Sequence, residues 1–212
     1  MPYVKGKGWV KSGRGTCGML PGWTHQNKLN ESPDSVPSSE EMLNLIWGIP
    51  NRRTQMLAMI LYLTAGRISE VLDLFPAKFG DRKAVDSNGK QYKILLIRMM
   101  NEKNRKQKTK DIPLDYAKFP KEIRLIKNWI AQYSPFQNIF LNIYKARAMS
   151  SNSAYTLIKT ATGFNPHWLR HIRISNRFSE EGHNEQKLKI LAGWTDTRPA
   201  SVYTKARWTD II

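Results

Sequence analysis

The chain has 212 residues, 41% of them hydrophobic, enough to bury one good-sized core or one core with an attached arm. Its formal net charge is +17 and its pI is about 10.1, which points to a polyanionic partner because clustered Lys and Arg bind phosphates by releasing counterions. The sequence has no run of about 18 apolar residues that would form a membrane-spanning helix, and a single cysteine, Cys17, excludes a disulfide framework and argues against a Cys-rich zinc site.

The opening Met1-Pro2-Tyr3-Val4-Lys5 lacks the apolar run of a signal peptide, so a reducing, cytoplasmic location is expected. Residues 1–37 differ from the rest. They carry Lys5, Lys7, Lys11, Arg14 and Lys28, with no acid before Glu31. Glycines at 6, 8, 13, 15, 18 and 22 break any helical or strand period. Tyr3, Trp9 and Trp23 are interleaved with the charges. This composition suits a DNA-contacting arm or a tail or linker.

Ser38 can cap a helix, and Glu41 three residues on completes a capping box. Met42, Leu45 and Ile46 supply the apolar stripe, and the helix ends near Gly48-Ile49-Pro50. A second helix is expected from about Arg52 to Ala65, with Met56, Leu57, Met59, Ile60 and Leu63 inside. Its methionines read as core filler rather than ligands. Ile68, Val71 and Leu72 repeat at helical spacing, so a short third helix is expected to end at Phe75-Pro76. Arg67 stands at its start, where a cation opposes the macrodipole. That conflict suggests another task, such as a bidentate grip on a phosphate, with Glu70 one turn on to orient it. The plainer reading is a surface Arg67–Glu70 pair worth roughly a few tenths of a kcal/mol.

Tyr92 to Met100 and Thr109 to Pro113 read as the strands of a hairpin. Its long basic tip carries Lys103, Arg105, Lys106, Lys108 and Lys110 against one acid, Glu102. A turn at Asn88-Gly89 and a strand near Phe79 to Val85 complete a small antiparallel sheet. A basic tip can touch a phosphate or enter a groove, or can simply keep the hairpin soluble. Lys121 to Tyr133 is helical, with Ile123, Ile126 and Ile130 on one side, and Ser151 or Asn152 caps another helix reaching about Ala161. The expected fold class is mainly α with a small antiparallel β-sheet (α+β).

The densest chemistry lies between Asn165 and Tyr203. Pro166 suits a first helical turn. In that helix His167, Arg170 and His171 fall at i, i+3 and i+4 and share one face, while Leu169, Ile172 and Phe178 take the buried side. Leu191-Ala192-Gly193 reads as a helix end with a glycine cap. Trp194 then emerges on a turn, and Pro199 opens a short helix carrying Tyr203. His25, His167, His171 and His183 show no metal-ligand spacing with acidic partners, so no metal and no cofactor are expected.

Taken in order, Arg67, Lys103, His167, Arg170, Trp194 and Tyr203 resemble the tyrosine recombinase (phage integrase) family. Thr64-Ala65-Gly66-Arg67-Ile68-Ser69-Glu70-Val71-Leu72-Asp73-Leu74 resembles its first arginine box. His167-Trp168-Leu169-Arg170-His171 resembles its His-x-x-Arg box, and Leu191-Ala192-Gly193-Trp194, with Tyr203 nine residues on, its last box. Most members carry His where this chain has Trp194. The resemblance covers about Ser38 to the C-terminus and implies a tyrosine recombinase catalytic-domain-like fold. The expected organisation is a basic arm or linker over 1–37 and a catalytic domain over 38–212 with a short tail. Residues 1–37 are too short for the helical core-binding domain that usually precedes the catalytic one.

The resemblance implies a metal-free reaction. The Tyr203 oxygen attacks a DNA phosphate, displaces the 5′-oxygen and leaves a 3′-phosphotyrosyl link. Arg67 and Arg170 clamp the nonbridging oxygens. His167 moves the tyrosine proton, and Lys103 supplies the proton for the leaving oxygen. Trp194 donates its N–H to the phosphate and packs against the tyrosine helix. Glu70 and His171 support these groups, and Arg105, Lys106, Lys108 and Arg173 are expected to touch DNA. The implied partner is double-stranded DNA, bound by a homotetramer. The tail residues Trp208, Ile211 and Ile212 either dock on a neighbouring protomer or cover the chain's own core. Two other functions stay open: relaxation of supercoils in the manner of a type IB topoisomerase, and DNA binding without catalysis. An RNA-binding module is a third alternative, but no stacking sheet with aromatic motifs supports it.

Overall fold

A computed structural model describes residues 36–85, 89–101, 109–142, 147–194, 197 and 199–200. Helix α1 (Ser39–Trp47) begins on the expected capping box. Ser38 Oγ accepts from the Glu41 N–H at 3.2 Å, and Glu41 Oε2 accepts from the Ser38 N–H at 2.8 Å. Helix α2 (Arg52–Thr64) is capped by Asn51, whose side chain accepts from the Thr54 N–H at 3.0 Å. Every residue from Thr54 to Thr64 is buried. A helix buried on all sides belongs at the centre of a domain. Helix α2 accordingly meets α1, α3 (Ile68–Leu72), α4 (Pro120–Ile130), α5 (Ser151–Thr162) and α6 (Pro166–Ser179). Each fully buried Leu or Ile there contributes about 1.5–3 kcal/mol of transfer free energy.

The three-stranded sheet is antiparallel in the order β1 (Phe79–Val85), β2 (Gln91–Met100), β3 (Thr109–Asp115). Residues alternate strictly along β3: Lys110, Ile112 and Leu114 are buried, while Thr109, Asp111 and Pro113 are exposed. Across the ladder Leu114 faces Leu95, Ile112 faces Ile97 and Lys110 faces Met99. The two-residue period therefore carries Lys110 to the core side along with its apolar neighbours. Leu141–Asn142 (β4) and Arg147–Ala148 (β5) form a second, two-stranded ribbon. Helix α7 (Glu185–Ala192) follows α6 and touches both α6 and β3.

Several boundaries differ from the sequence reading: helix α4 ends at Ile130, not Tyr133, and strand β3 runs past Pro113 to Asp115. Helix α3 stops at Leu72, not Phe75-Pro76, because Phe75 is already extended and Pro76 opens a 3-10 turn. Helix α5 is capped by Ser150, whose side chain accepts from the Ser153 N–H at 3.2 Å, so Ser151 and Asn152 fall inside the first turn. Among the described residues, no helix is long and apolar enough to cross a membrane.

Candidate active site

Helix α2 ends at Ala65, which adopts a left-handed conformation (φ 48°, ψ 33°). Gly66 follows in a tight place. A Cβ there would lie 2.7 Å from Met99 Cε, 2.8 Å from Val71 Cγ2 and 2.9 Å from Thr64 Oγ1. Only glycine lets the end of α2, helix α3 and strand β2 approach this closely. Arg67 then begins α3, and Glu70 resolves its conflict with the helix dipole. The Glu70 carboxylate accepts from the Arg67 N–H at 2.9 Å and from Arg67 Nη1 at 2.6 Å. The Glu70 side chain is fully buried and that of Arg67 is 19% exposed, so this is not the solvated surface pair that the local sequence also allows. From β3, Lys110 Nζ reaches Glu70 Oε2 at 2.9 Å.

The second arginine arrives on α6. Asn165 caps that helix by accepting from the Trp168 N–H at 2.9 Å, and Pro166 occupies the first turn. His167 is exposed, His171 half-buried and Arg170 buried. The two imidazoles meet edge to face with centroids 4.3 Å apart. Arg170 Nη1 donates to the Ala65 carbonyl, and Nη2 donates to the Ala192 carbonyl at 2.8 Å. One side chain thus ties the turn before Gly66-Arg67 to the helix end before Gly193-Trp194. A guanidinium has further N–H donors beyond these two.

Gly193 is left-handed (φ +67°), and its carbonyl accepts from Asn101 Nδ2 at 3.2 Å. A Cβ at 193 would sit 2.6 Å from that same nitrogen. Asn101 ends β2's stem of the basic hairpin, and Lys110 lies on the opposite stem. Both stems are therefore fastened at the site. Ala200, three residues before Tyr203, is fully buried, and its N–H donates to the Thr197 carbonyl at 2.7 Å.

The local field is positive. Burial pulls the Lys110 ammonium down, Glu70 pulls it back, and the charges of Arg170 and Arg67 pull it down again, to about 8. Burial pushes the Glu70 carboxyl up, but the charge of Lys110 and the hydrogen bonds from Arg67 and Lys110 outweigh it and hold it below the usual carboxylate range. Burial, then the charges of His167 and Arg170, lower His171 to about 4, so its imidazole is neutral at pH 7. Three cations, Arg67, Arg170 and Lys110, thus share the surroundings of Glu70. A phosphodiester is the natural complement of that excess. Among the described residues, no three His, Cys, Asp or Glu side chains cluster as metal ligands.

The structure brings Arg67, Glu70, Arg170, His167, His171 and the Trp194 turn to one end of the molecule's central helix. Lys103, Arg105, Lys106, Lys108, Tyr203 and the tail residues Trp208, Ile211 and Ile212 lie outside the described residues. The expectation that Arg173 touches DNA is corrected. Its side chain is fully buried, 5.3 Å from the ring centroids of both Tyr62 and Phe119, and its Nη2 pairs with Glu181 Oε1 at 2.8 Å. One turn further along α6 than Arg170, it lies beside Tyr62, Phe119 and Glu181, which enclose and pair its guanidinium. Sequence reasoning overlooked Lys110 as a member of the site. Its signal was present: Lys110, Ile112 and Leu114 share one strand face.

Residues 39–209 match the family model described as the Phage integrase family. No curated protein matches the sequence. Among solved structures, the fold is similar to a XerH site-specific recombinase bound to palindromic difH substrate in a post-cleavage complex, with a TM-score of 0.59 and 19% identity over 79% of this chain and 48% of that one. It is similar also to XerA recombinase, with a TM-score of 0.60 and 14% identity over 82% and 61% of the two chains. A third is the Tn1549 transposon integrase in complex with transposon right end DNA, with a TM-score of 0.55 and 18% identity over 81% and 61%. The chain spans about half to three-fifths of the length of these structures. At such identities the likeness establishes the fold, a mainly α domain with a small antiparallel sheet. With the family match running from residue 39 to residue 209, the chain belongs to the phage integrase family.

Proposed function

We propose that this protein is a tyrosine site-specific recombinase, which cleaves and rejoins DNA strands through a 3′-phosphotyrosyl intermediate. The observation that carries the reading is the Arg170 bridge between Ala65 and Ala192, which gathers both arginine boxes and the Trp194 turn. In the forward step the Tyr203 oxygen forms a bond to phosphorus as the bond from phosphorus to the 5′-oxygen breaks. The phenol proton passes to His167, and the 5′-oxygen takes a proton from Lys103. A phenol with an ordinary pKa of about 10 needs such help. Arg67, Arg170 and the Trp194 N–H hold the nonbridging oxygens while charge develops. A 5′-hydroxyl from another strand reverses the step, so no external energy is consumed.

Residues 38–212 form the catalytic unit in this reading, and residues 1–37 add a basic arm against DNA. The substrate is double-stranded DNA, and exchange between two sites needs four protomers, so the working form is a tetramer on DNA in the cytoplasm. The test uses a nicked suicide substrate that traps the covalent adduct on a denaturing gel. Wild-type protein is expected to form the adduct, and Tyr203→Phe to lose it while still binding DNA. An adduct that survives Tyr203→Phe refutes the assignment of the nucleophile. Strand exchange between two matched sites is expected; relaxation of supercoils without exchange would favour the topoisomerase alternative.

A further inference from the structure

The contact between Glu70 and Lys110 plays no part in the steps above, yet it is the most deeply buried charge pair at the site. The two side chains are 0% and 1% exposed, and Nζ lies 2.9 Å from Oε2. Taking an ammonium out of water costs free energy, and an apolar side chain opposite Met99 would avoid that cost. Stability alone does not account for the pair. Glu70 also faces two donors from Arg67, the N–H on Oε2 and Nη1 on Oε1. Lys110 shares Oε2 with the Arg67 N–H, which fixes the rotation of the carboxylate and leaves Oε1 aimed at the guanidinium. It also balances the charge of Glu70. Without it, nothing from β3 would hold Oε2, so the carboxylate could rotate and carry with it the Arg67 guanidinium, whose Nη1 lies 2.6 Å from Oε1, away from an incoming phosphate.

We propose that Lys110 is a positioning residue for DNA cleavage, which acts through Glu70 to hold the Arg67 guanidinium in the direction that meets the scissile phosphate. The inference rests on the recombinase reading above. Lys110 does not act as the acid for the leaving oxygen, because its ammonium is shut away from solvent behind Glu70.

The experiment measures single-turnover cleavage of a suicide substrate by wild type, Lys110→Met, Glu70→Gln and the double variant, at a temperature well below the lowest melting midpoint. Lys110→Met is expected to cleave about 10²-fold more slowly, the typical effect of misplacing a group by about 1 Å, with DNA affinity unchanged. In the Glu70→Gln background the same change is expected to cost little, since the carboxylate through which Lys110 acts is gone. The double variant removes both buried charges, so it provides the folded comparison if Lys110→Met melts too low. An equal loss in both backgrounds overturns the inference, and so does wild-type speed in Lys110→Met. A substrate with sulfur in place of the 5′-bridging oxygen needs no acid; rescue of Lys110→Met by that substrate would make Lys110 the acid and overturn the inference as well. If wild type itself forms no adduct, the recombinase reading fails first, which is a separate result.

Discussion

Glu181 offers a test of how the second buried charge cluster is held. Its carboxylate pairs with Arg173 Nη2 at 2.8 Å and Arg177 Nη1 at 3.0 Å, with Lys118 at 3.6 Å and His183 at 3.8 Å farther out. The side chains of Arg173 and Arg177 are 0% and 9% exposed. Glu181→Gln keeps the shape and removes the charge, leaving two buried guanidiniums without a counterion. Breaking a buried pair from one side costs about 3–5 kcal/mol. For a domain of this size each kcal/mol lowers the melting midpoint by about 2–4 °C, so a drop of about 6–20 °C is expected. The exposed Arg98–Asp111 pair provides the internal comparison. It has two contacts of 2.8 Å each, but its side chains are 56% and 38% exposed. Asp111→Asn should therefore cost at most about 1 kcal/mol, because solvent screens that pair. Differential scanning calorimetry reads both variants. If Glu181→Gln melts within about 3 °C of wild type, the reasoning fails, and Arg173 and Arg177 are better hydrated than their burial implies.

The two low histidines set a pH response. In the folded chain burial lowers both His171 and His183 to about 4, against an ordinary value of 6.5. The unfolded chain takes up those protons first, so stability is full above pH 6.5 and declines as pH falls toward 4. His183→Gln should flatten that decline in a melting-midpoint series, and an unchanged slope would contradict the low value. Gly66→Ala forces a methyl into contacts of 2.7–2.9 Å with Met99, Val71 and Thr64, so a loss of about 1–3 kcal/mol is expected in denaturant unfolding. DNA cleavage should fall with it, because Arg67 is the next residue. Ala65→Gly relieves a left-handed alanine and should stabilise the chain by up to about 1 kcal/mol; a marked destabilisation would show that the turn is unstrained.

Much of the fold was legible locally. Helix capping acts over three residues, so Ser38 with Glu41 announced α1. Strand alternation has a period of two, so the sheet's position followed from the Ile- and Leu-rich runs and the turn at Gly89. The chain order of Arg67, Arg170 and Trp194 pointed to the family before any geometry. What neighbours in sequence could not decide was the fate of individual cations. Arg170 and Arg173 lie one helical turn apart and look alike in the sequence. One reaches the Ala65 and Ala192 carbonyls at the site, and the other is buried between Tyr62 and Phe119. Lys110 looked like one more cation of a solvated hairpin, but it is buried against Glu70, forty residues earlier in the chain. The sequence by itself determined the helices, the strands and the family, because caps, periodicities and motif spacing depend on residues close together in the chain. Only the tertiary structure decided which charges are buried and paired, because a buried charge survives only where a counter-charge from another element meets it.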